Sequence, residues 1–469
     1  MTMWIPNIEA AGGPIYLAIA DALEADIKTG ALAQGDRLPP QRELAYQLGV
    51  TLGTITRAYG EAERRRLVKG ETGRGTYIAS ETQKVSPLAP KEDEPETCDL
   101  ARNFAYPHLN PSLSDGLTRM ARTVGIDRLN GFVPSEGLKA HRETGALVFK
   151  DYGLEADPDR VAVTCGAQHG IQVTCQALFR PGDAVAVDRF TYPSIFSSFA
   201  SIGLKPVPLP ALIRADGGFG AMDPAALAQA AKTHGVKGVF LMPNMQNPTT
   251  HTMSVEERQD LVAVARQFDL KIVEDDPYTP FLPDALPAFG ALAPERTASI
   301  ASISKVCSPG SRIGFVHVPR PFGDSIRNKI GESTWMASPI TAELIAGWVR
   351  EGHLFKTLRL KRKANRTRFL AARELLAPHF LQSDVNKVFG WLRLPETVDP
   401  DALQNALGHQ GISVLSSRYF QAKDHQPAPY LRLTFGSEQS DDRFRWALQR
   451  IRSTIGQLAE LPDLTRPVG

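Results

Sequence analysis

The chain has 469 residues, 42% hydrophobic and 22% charged, which is enough apolar material for two or three soluble folding units. Fifty-three basic residues against fifty-one acidic ones leave a net charge of +2, so any nucleic-acid surface must be local. No run approaches the roughly 18 apolar residues of a membrane span, and MTMWIPNIEAAGG lacks a basic start leading into an apolar stretch. A cytoplasmic protein without a membrane anchor is expected. Cys98, Cys165, Cys175 and Cys307 are too widely separated for a zinc or iron–sulfur motif, so no metal site is expected.

From Pro14 to about Thr29, Ile15, Ile19, Leu23 and Ile27 recur every fourth residue and predict a helix stopped by Gly30. A second helix is expected from Gln41, carrying Leu44, Ala45 and Leu48 inward and ending at Gly49. Thr51 is a candidate cap for a third, which carries Ile55, Ala58 and Tyr59 and ends near Leu67. Val68 to Ile78 alternates weakly around Gly70, Gly73 and Gly75, as a hairpin does. Residues 80–98, SETQKVSPLAPKEDEPETC, combine three prolines and an acidic run with few large apolar side chains, the composition of a linker.

Beyond the linker the pattern changes. Short apolar runs at VAVTC (161–165), AVAVD (184–188), KPVPLP (205–210), GVFLMP (238–243), KIVED (271–275), ASIAS (298–302) and RIGFVHV (312–318) alternate with helical segments such as Val255 to Phe268. That alternation predicts an α/β unit with a mostly parallel sheet and helices on both faces. From about 345, a long basic helical stretch, GHLFKTLRLKRKANRTRFLAARELL, leads to KVFGWLRLP and later YLRLTF, expected as a smaller α+β subdomain. The predicted organisation is residues 1–79, a linker at 80–98, and residues 99–469 with a large part at about 135–340 and a small part at about 345–469.

Charge in the first module is uneven: residues 51–78 hold Arg57, Arg64, Arg65, Arg66, Lys69 and Arg74 against Glu61, Glu63 and Glu71. Such a cluster alone is weak evidence, because a solvated helix end explains it equally well. The order of landmarks is more specific: GDRLPPQRELA, LGV, TITRAY and a glycine-rich basic segment ending in GTYI. Over its whole length this module resembles the winged helix-turn-helix of the GntR family. The resemblance implies phosphate contacts from Arg37 or Arg42, base-edge or backbone contacts from Thr54 and Thr56, and wing contacts from Arg74 and Gly75. Arg57 is added from its charge and exposed helical phase. Where many relatives read Ser-Arg, this chain has Thr51-Leu52 followed by Gly53; Leu52 has no hydrogen bond to give a phosphate, and Gly53 weakens the first helical turn.

In the second module, SISKVCSPGSRIGF (302–315) sets Lys305 just after a strand, among small residues and seven positions before Arg312. A lone lysine is ordinarily a solvated surface group; a serine- and glycine-rich setting at a strand end is not its usual place. The string resembles the lysine motif of fold-type I aminotransferases, and further landmarks follow in family order. In TCGAQH (164–169), Gly166, Ala167 and Gln168 open a strand-to-helix turn whose free amides suit an anion. With Ser302, Ser304 and Arg312 they match the family's cradle for the phosphate of pyridoxal 5'-phosphate (PLP). Tyr192 stands at the position of the ring-stacking aromatic, and Asn247 at that of the asparagine bonded to the cofactor's phenolic oxygen. Asp275 aligns with the aspartate beneath the pyridine nitrogen, and Tyr278 with the tyrosine near the phenolic oxygen. The resemblance makes Lys305, Asp275 and Tyr278 the candidate catalytic set, with Lys305 carrying the internal aldimine. Arg432, in YLRLTFG, resembles the arginine that clamps a substrate carboxylate in a two-pronged hydrogen bond. Phe132 stands where a tyrosine of the neighbouring subunit usually reaches the phosphate, so that contact is missing.

The fusion is the pattern of the MocR-like subgroup of GntR regulators. It implies a PLP-dependent transcriptional regulator that binds double-stranded operator DNA and senses PLP, an amino-acid-like amine, or both, through aldimine chemistry at Lys305. The alternative is a working PLP-dependent aminotransferase with an accessory DNA-binding domain. The resemblance also implies a homodimer, and a nineteen-residue linker reaching roughly 60 Å when extended admits a domain-swapped one.

Overall fold

A computed structural model describes residues 4–6, 14–29, 31–32, 36–64, 67–71, 75–78, 97–103, 106–123, 125–215, 217–380, 384–422 and 428–460. The chain folds as two units, Met1–Glu94 and Pro95–Gly469. Residues 80–96 of the expected linker lie outside the described residues.

The first unit contains α1 (Ile15–Thr29), α2 (Gln41–Leu48) and α3 (Leu52–Arg64), followed by the antiparallel pair β1 (Val68–Glu71) and β2 (Gly75–Ile78). Gly49 ends α2 in the left-handed region (φ 63°), where its amide reaches the Ala45 and Tyr46 carbonyls, a conformation a side chain would oppose. Thr51 caps α3 as expected, its hydroxyl accepting from the Thr54 amide at 3.2 Å. The helix is described to Arg64, and the Leu67 amide turns back to the Ala62 carbonyl near its expected end. Ile19, Leu23, Leu44, Ile55, Ala58, Tyr59, Val68 and Ile78 make one core, so helices and hairpin are held by a common apolar centre. The buried Tyr59 hydroxyl donates to the Pro39 carbonyl and fixes the turn entering α2.

The second unit is built on β3 (Val161–Thr164), β4 (Ala184–Asp188), β5 (Lys205–Leu209), β6 (Gly238–Leu241), β7 (Lys271–Asp276), β8 (Thr297–Ser302) and β9 (Gly314–His317). Their order is β3-β9-β8-β7-β6-β4-β5. The pairs among β4 to β8 are parallel, while β9 runs antiparallel to both β3 and β8. Val185 and Val187 of β4 enter one core with Val273 and Ile300, whereas Ala186 enters another with Val239, Leu241 and Ile272. Alternate side chains thus feed opposite faces, which is why these strands read as unbroken apolar runs.

Helix α4 (Ala167–Leu178) follows β3, and α5 (Val255–Gln267) starts on a reciprocal cap between Ser254 and Glu257. The basic stretch expected from about 345 resolves into α6 (Pro339–Arg350) and α7 (His353–Leu375), separated at Gly352. The small part pairs β10 (Phe389–Arg393), β12 (Tyr430–Thr434) and β11 (Leu415–Ser416) antiparallel, with α8 (Asp441–Ala459) against them through Phe444, Leu448 and Ile451. Cys98–Asp99 joins this part by pairing in parallel with Ile412–Ser413. No helix among the described residues is long and apolar enough to cross a membrane.

Candidate functional site

The topology collects the candidate residues of the second unit at one edge of its sheet. Asp275 is the penultimate residue of β7, Lys305 follows β8 by three residues, Tyr192 follows β4 and Asn247 follows β6. Gly166 caps α4 just beyond β3, with Ala167 and Gln168 in the first turn. Because β9 runs backwards, its first residue Gly314 lies opposite both Thr164 and Ser302, so its entry loop brings Arg312 to this same edge. A parallel sheet of this kind binds ligands beyond the carboxyl ends of its strands.

The candidate anion cradle is tight. Gly166 has φ 81°, and a Cβ there would lie 2.5 Å from Arg312 Nη2, so the guanidinium occupies space a side chain would need. Arg312 itself sits at φ 50°, an uncommon backbone for an arginine, and this turns it into the cradle. Ser302 Oγ accepts from the Ser304 amide at 3.3 Å. Gln168 Nε2 donates to Ser198 Oγ at 2.5 Å, while its Oε1 is buried without a partner among the described residues. Gly166→Ala is expected to displace Arg312 and weaken PLP retention at least about tenfold, read by titrating the visible absorption of the full chain.

Charge at the centre is strongly perturbed by burial. Asp275 is pushed up to about 7, first by desolvation and then by neighbouring Asp276, with Lys305 opposing. Its Oδ1 is buried and has no hydrogen-bond partner among the described residues. Burial pushes Lys305 down to about 8, helped by the charge of Arg432 and opposed by Asp275. The Lys305 amine donates to the Asn103 carbonyl at 2.7 Å. Arg432 is buried; Nη1 donates to Asn247 Oδ1 at 3.1 Å, Nη2 to the Ala101 carbonyl, and its Nε is without a partner among the described residues. Burial raises the Tyr192 phenol, which also feels Asp275, Arg312 and Arg432. Tyr278 is likewise raised by burial, and its hydroxyl accepts from Asn103 Nδ2 at 2.8 Å.

Several residues here escaped the reading of the sequence. Asn103 touches Lys305 and Tyr278, yet it lies in a short segment without periodicity. Asp276 fixes the turn that carries Tyr278: its Oδ1 accepts from the Tyr278 and Thr279 amides, and its Oδ2 from Asn244 Nδ2 at 2.7 Å. Arg258 holds Asn244 in turn, with Nη2 donating to Asn244 Oδ1 at 2.6 Å. The Asp-x-x-Thr spacing of Asp276 and Thr279 was the available signal. Phe132 is 83% exposed, its ring 5.6 Å from that of Trp335, itself exposed. Arg418 pairs with Asp401 on the surface.

In the first unit, Leu52, Thr56 and Arg57 lie on the exposed face of α3. The Thr56 hydroxyl donates to Gln41 Oε1 at 2.8 Å, and half-buried Thr54 shares a 2.9 Å hydroxyl contact with Thr51. Arg42 is exposed on α2. Arg37, also exposed, bridges to Tyr77 and packs on Gly75 (φ 121°), where a Cβ would meet its Nε at 2.8 Å. Arg74 lies outside the described residues.

Comparison with known proteins accounts for both units. Residues 105–451 match the model of aminotransferase class I and II, and residues 15–78 that of the bacterial regulatory proteins of the gntR family. The HTH-type transcriptional regulator YdeF of Bacillus subtilis (strain 168) is 28% identical over 466 residues, covering 97% of each chain. The pyridoxine biosynthesis regulator PdxR of Corynebacterium glutamicum is 24% identical, covering 92% of this chain and 93% of its own. TauR of Rhodobacter capsulatus is 25% identical, covering 88% and 90%. Among solved structures, Pyrococcus horikoshii kynurenine aminotransferase superposes with TM-score 0.70 at 23% identity, covering 82% of this chain and 96% of that one. LysN, the α-aminoadipate aminotransferase of Thermus thermophilus, gives 0.69 at 20% identity, covering 86% and 99%. These two likenesses establish the fold alone. The aminotransferase class I and II family implies PLP, and the residues present fit it: a side-chain-free Gly166 against Arg312, a buried Asp275 oxygen without a partner among the described residues, and a half-buried lysine whose amine is of lowered basicity. The chain belongs to the aminotransferase class I and II family, with residues 15–78 matching the gntR family of bacterial regulatory proteins in front.

Proposed function

We propose that this protein is a PLP-dependent transcriptional regulator that binds operator DNA through its first unit and reads PLP, an amino-acid-like amine, or both in its second. The observation that carries the reading is the full-length likeness to HTH-type transcriptional regulators, supported by the candidate residues that lie at one end of the sheet. PLP when bound supplies an aldehyde that captures amines and a ring that accepts electrons. Lys305 offers an amine lowered to about 8, so about a tenth of it is uncharged at pH 7, far more than of an ordinary lysine. Asp275 holds a proton on the pyridine nitrogen; Gly166, Ala167, Gln168, Ser302, Ser304 and Arg312 hold the phosphate; Tyr192 covers the ring; Asn247 and Tyr278 serve the phenolic oxygen. Arg432 receives a carboxylate, which selects amines bearing an acid group.

In the first unit, Arg37, Arg42, Arg57 and Arg74 position the phosphate backbone while Thr54, Thr56 and the wing at Gly75 approach base edges or backbone. A homodimer presents two such modules to a two-fold or repeated site, and the exposed Phe132–Trp335 pair supports a face for the second copy. Reversing charge at Arg42 or Arg57 should weaken binding to DNA from upstream of its own gene by about 10-fold or more. It should also reduce the slope of affinity against salt, with little change in sequence preference. Fluorescence anisotropy of the full chain at several salt concentrations, with and without PLP and candidate amino acids, tests both parts. Unchanged affinity in the variants, or DNA binding indifferent to every ligand state, would count against the regulator. Aminotransferase turnover is the second reading, favoured by Lys305, Asp275 and Arg432 all being present; sustained exchange between amino and keto acids distinguishes it.

A further inference from the structure

Asn103 lies in the first stretch of the second unit, and that stretch is unusually well fixed. The Leu100 amide donates to the Ser413 carbonyl, and the Thr434 amide donates to the Leu100 carbonyl. Asp99 Oδ1 accepts from the Ala101 and Arg102 amides at 3.0 Å each, and its other oxygen takes the Arg102 side chain at 2.7 Å. The Arg102 carbonyl accepts from the Thr434 and Ser437 hydroxyls, and the Ala101 carbonyl from Arg432. Asn103 directly follows these fixed residues, which sets where its polar groups begin. Asn103 uses two of them on the site: its side-chain amide donates to the Tyr278 hydroxyl at 2.8 Å, and its carbonyl accepts from the Lys305 amine at 2.7 Å.

We propose that Asn103 is a positioning residue that acts through Tyr278, orienting the phenol and strengthening it as a hydrogen-bond donor to the cofactor. A hydroxyl that accepts one hydrogen bond keeps its own proton for another acceptor and donates it more strongly. Facing the buried phenol are Asp275 and Tyr192, whose charges oppose its ionisation, and Arg432, which favours it; the Asn103 amide acts in the same sense as Arg432. Resting on the PLP reading above, the acceptor of the Tyr278 proton is the phenolic oxygen of the cofactor. Stronger donation there favours the ionised oxygen and lowers the pH at which the bound chromophore titrates. The backbone carbonyl of the same residue meanwhile accepts from the Lys305 amine, so one fixed segment sets two of the groups that would meet the cofactor.

The test is a pH titration of the visible absorption of the full chain loaded with PLP, in the parent, Asn103→Ala, Asn103→Asp, Tyr278→Phe and the Asn103→Ala/Tyr278→Phe double variant. Asn103→Ala should raise the chromophore midpoint by about one pH unit, a tenfold change in proton affinity. Asn103→Asp keeps the side-chain volume but accepts where the parent donates, and should shift the midpoint in the same direction. Adding Asn103→Ala to Tyr278→Phe should change it no further, because the phenol that transmits the effect is gone. Thermal melting keeps the Asp variant in play if the Ala variant folds poorly. An unmoved midpoint in both Asn103 variants, or an equal rise in the Tyr278→Phe background, overturns the proposal. Absence of a PLP absorption band in the parent overturns the PLP reading itself, and the two failures are thereby told apart.

Discussion

Lys305→Ala should abolish covalent attachment of PLP while leaving a folded protein that still binds DNA in the absence of ligand. Its side chain is half-buried, its amine is lowered to about 8 mainly by desolvation, and it donates to the Asn103 carbonyl of the fixed segment. Losing that hydrogen bond costs roughly 1 kcal/mol. Removing an ammonium from a desolvated position offsets much of this, so the melting temperature should move little. The chemistry has no such compensation. A preorganised amine is worth orders of magnitude in rate, and amine exchange should slow by at least about 100-fold. Borohydride reduction and peptide mapping decide the matter: the phosphopyridoxyl group should fall on the Lys305 peptide in the parent and on no lysine of the variant. Label on another lysine of the parent would sink the assignment. Carried into the DNA-binding assay, the variant also shows whether the ligand response runs through this amine.

Legibility in the sequence followed physical cause. The runs around 161, 184, 238, 271 and 298 were visible as strands because their alternate side chains enter two apolar cores, leaving no polar face to interrupt them. The strand at Gly314–His317 was equally visible, but its reversed direction was not, since an apolar run looks the same either way. Helix boundaries in the first unit were legible wherever a cap wrote them, at Gly49 and Thr51. In α7 the helix was legible but not which of its polar residues turn inward: Lys361, Asn365 and Arg368 are buried. Their partners, Asn110 for Lys361 and the carbonyls of Phe435 and Glu438 for Arg368, are far away in sequence. The same reason hid Asn103, whose value depends on Tyr278 and Lys305 at distances of 175 and 202 residues along the chain. Lys305, Asp275 and Arg432 were found through their motifs, and the structure gathers Lys305 and Asp275 with Arg432 within electrostatic reach of one another.

Asp275→Asn should make the cofactor-free protein more stable and the cofactor less tightly held. The carboxyl is buried and one oxygen lacks a partner among the described residues, so ionising it in the folded chain is unfavourable, and its value rises to about 7. In the unfolded chain an aspartate ionises near pH 4. The folded state therefore holds this proton more tightly than the unfolded state, and its contribution to stability is complete below about pH 4. It is lost progressively as the pH rises through 7. Asparagine has the same shape and no proton to lose. The two proteins should have equal stability near pH 4, and the variant should gain an advantage that widens up to about pH 7 and then levels off. About three pH units at 1.36 kcal/mol each set the ceiling on the order of 4 kcal/mol. PLP reverses the preference. A carboxylate facing a protonated pyridine nitrogen makes a charge-assisted hydrogen bond worth about 1.5–3 kcal/mol, which asparagine does not supply. The variant should bind PLP roughly 10- to 100-fold more weakly. Denaturant unfolding of the cofactor-free proteins between pH 4 and 8, paired with PLP titration, reads both effects. A stability gap that is flat with pH, or one that favours the parent at pH 8, would show that Asp275 does not sit as an uncompensated buried acid. Unchanged PLP affinity would remove it from beneath the ring nitrogen.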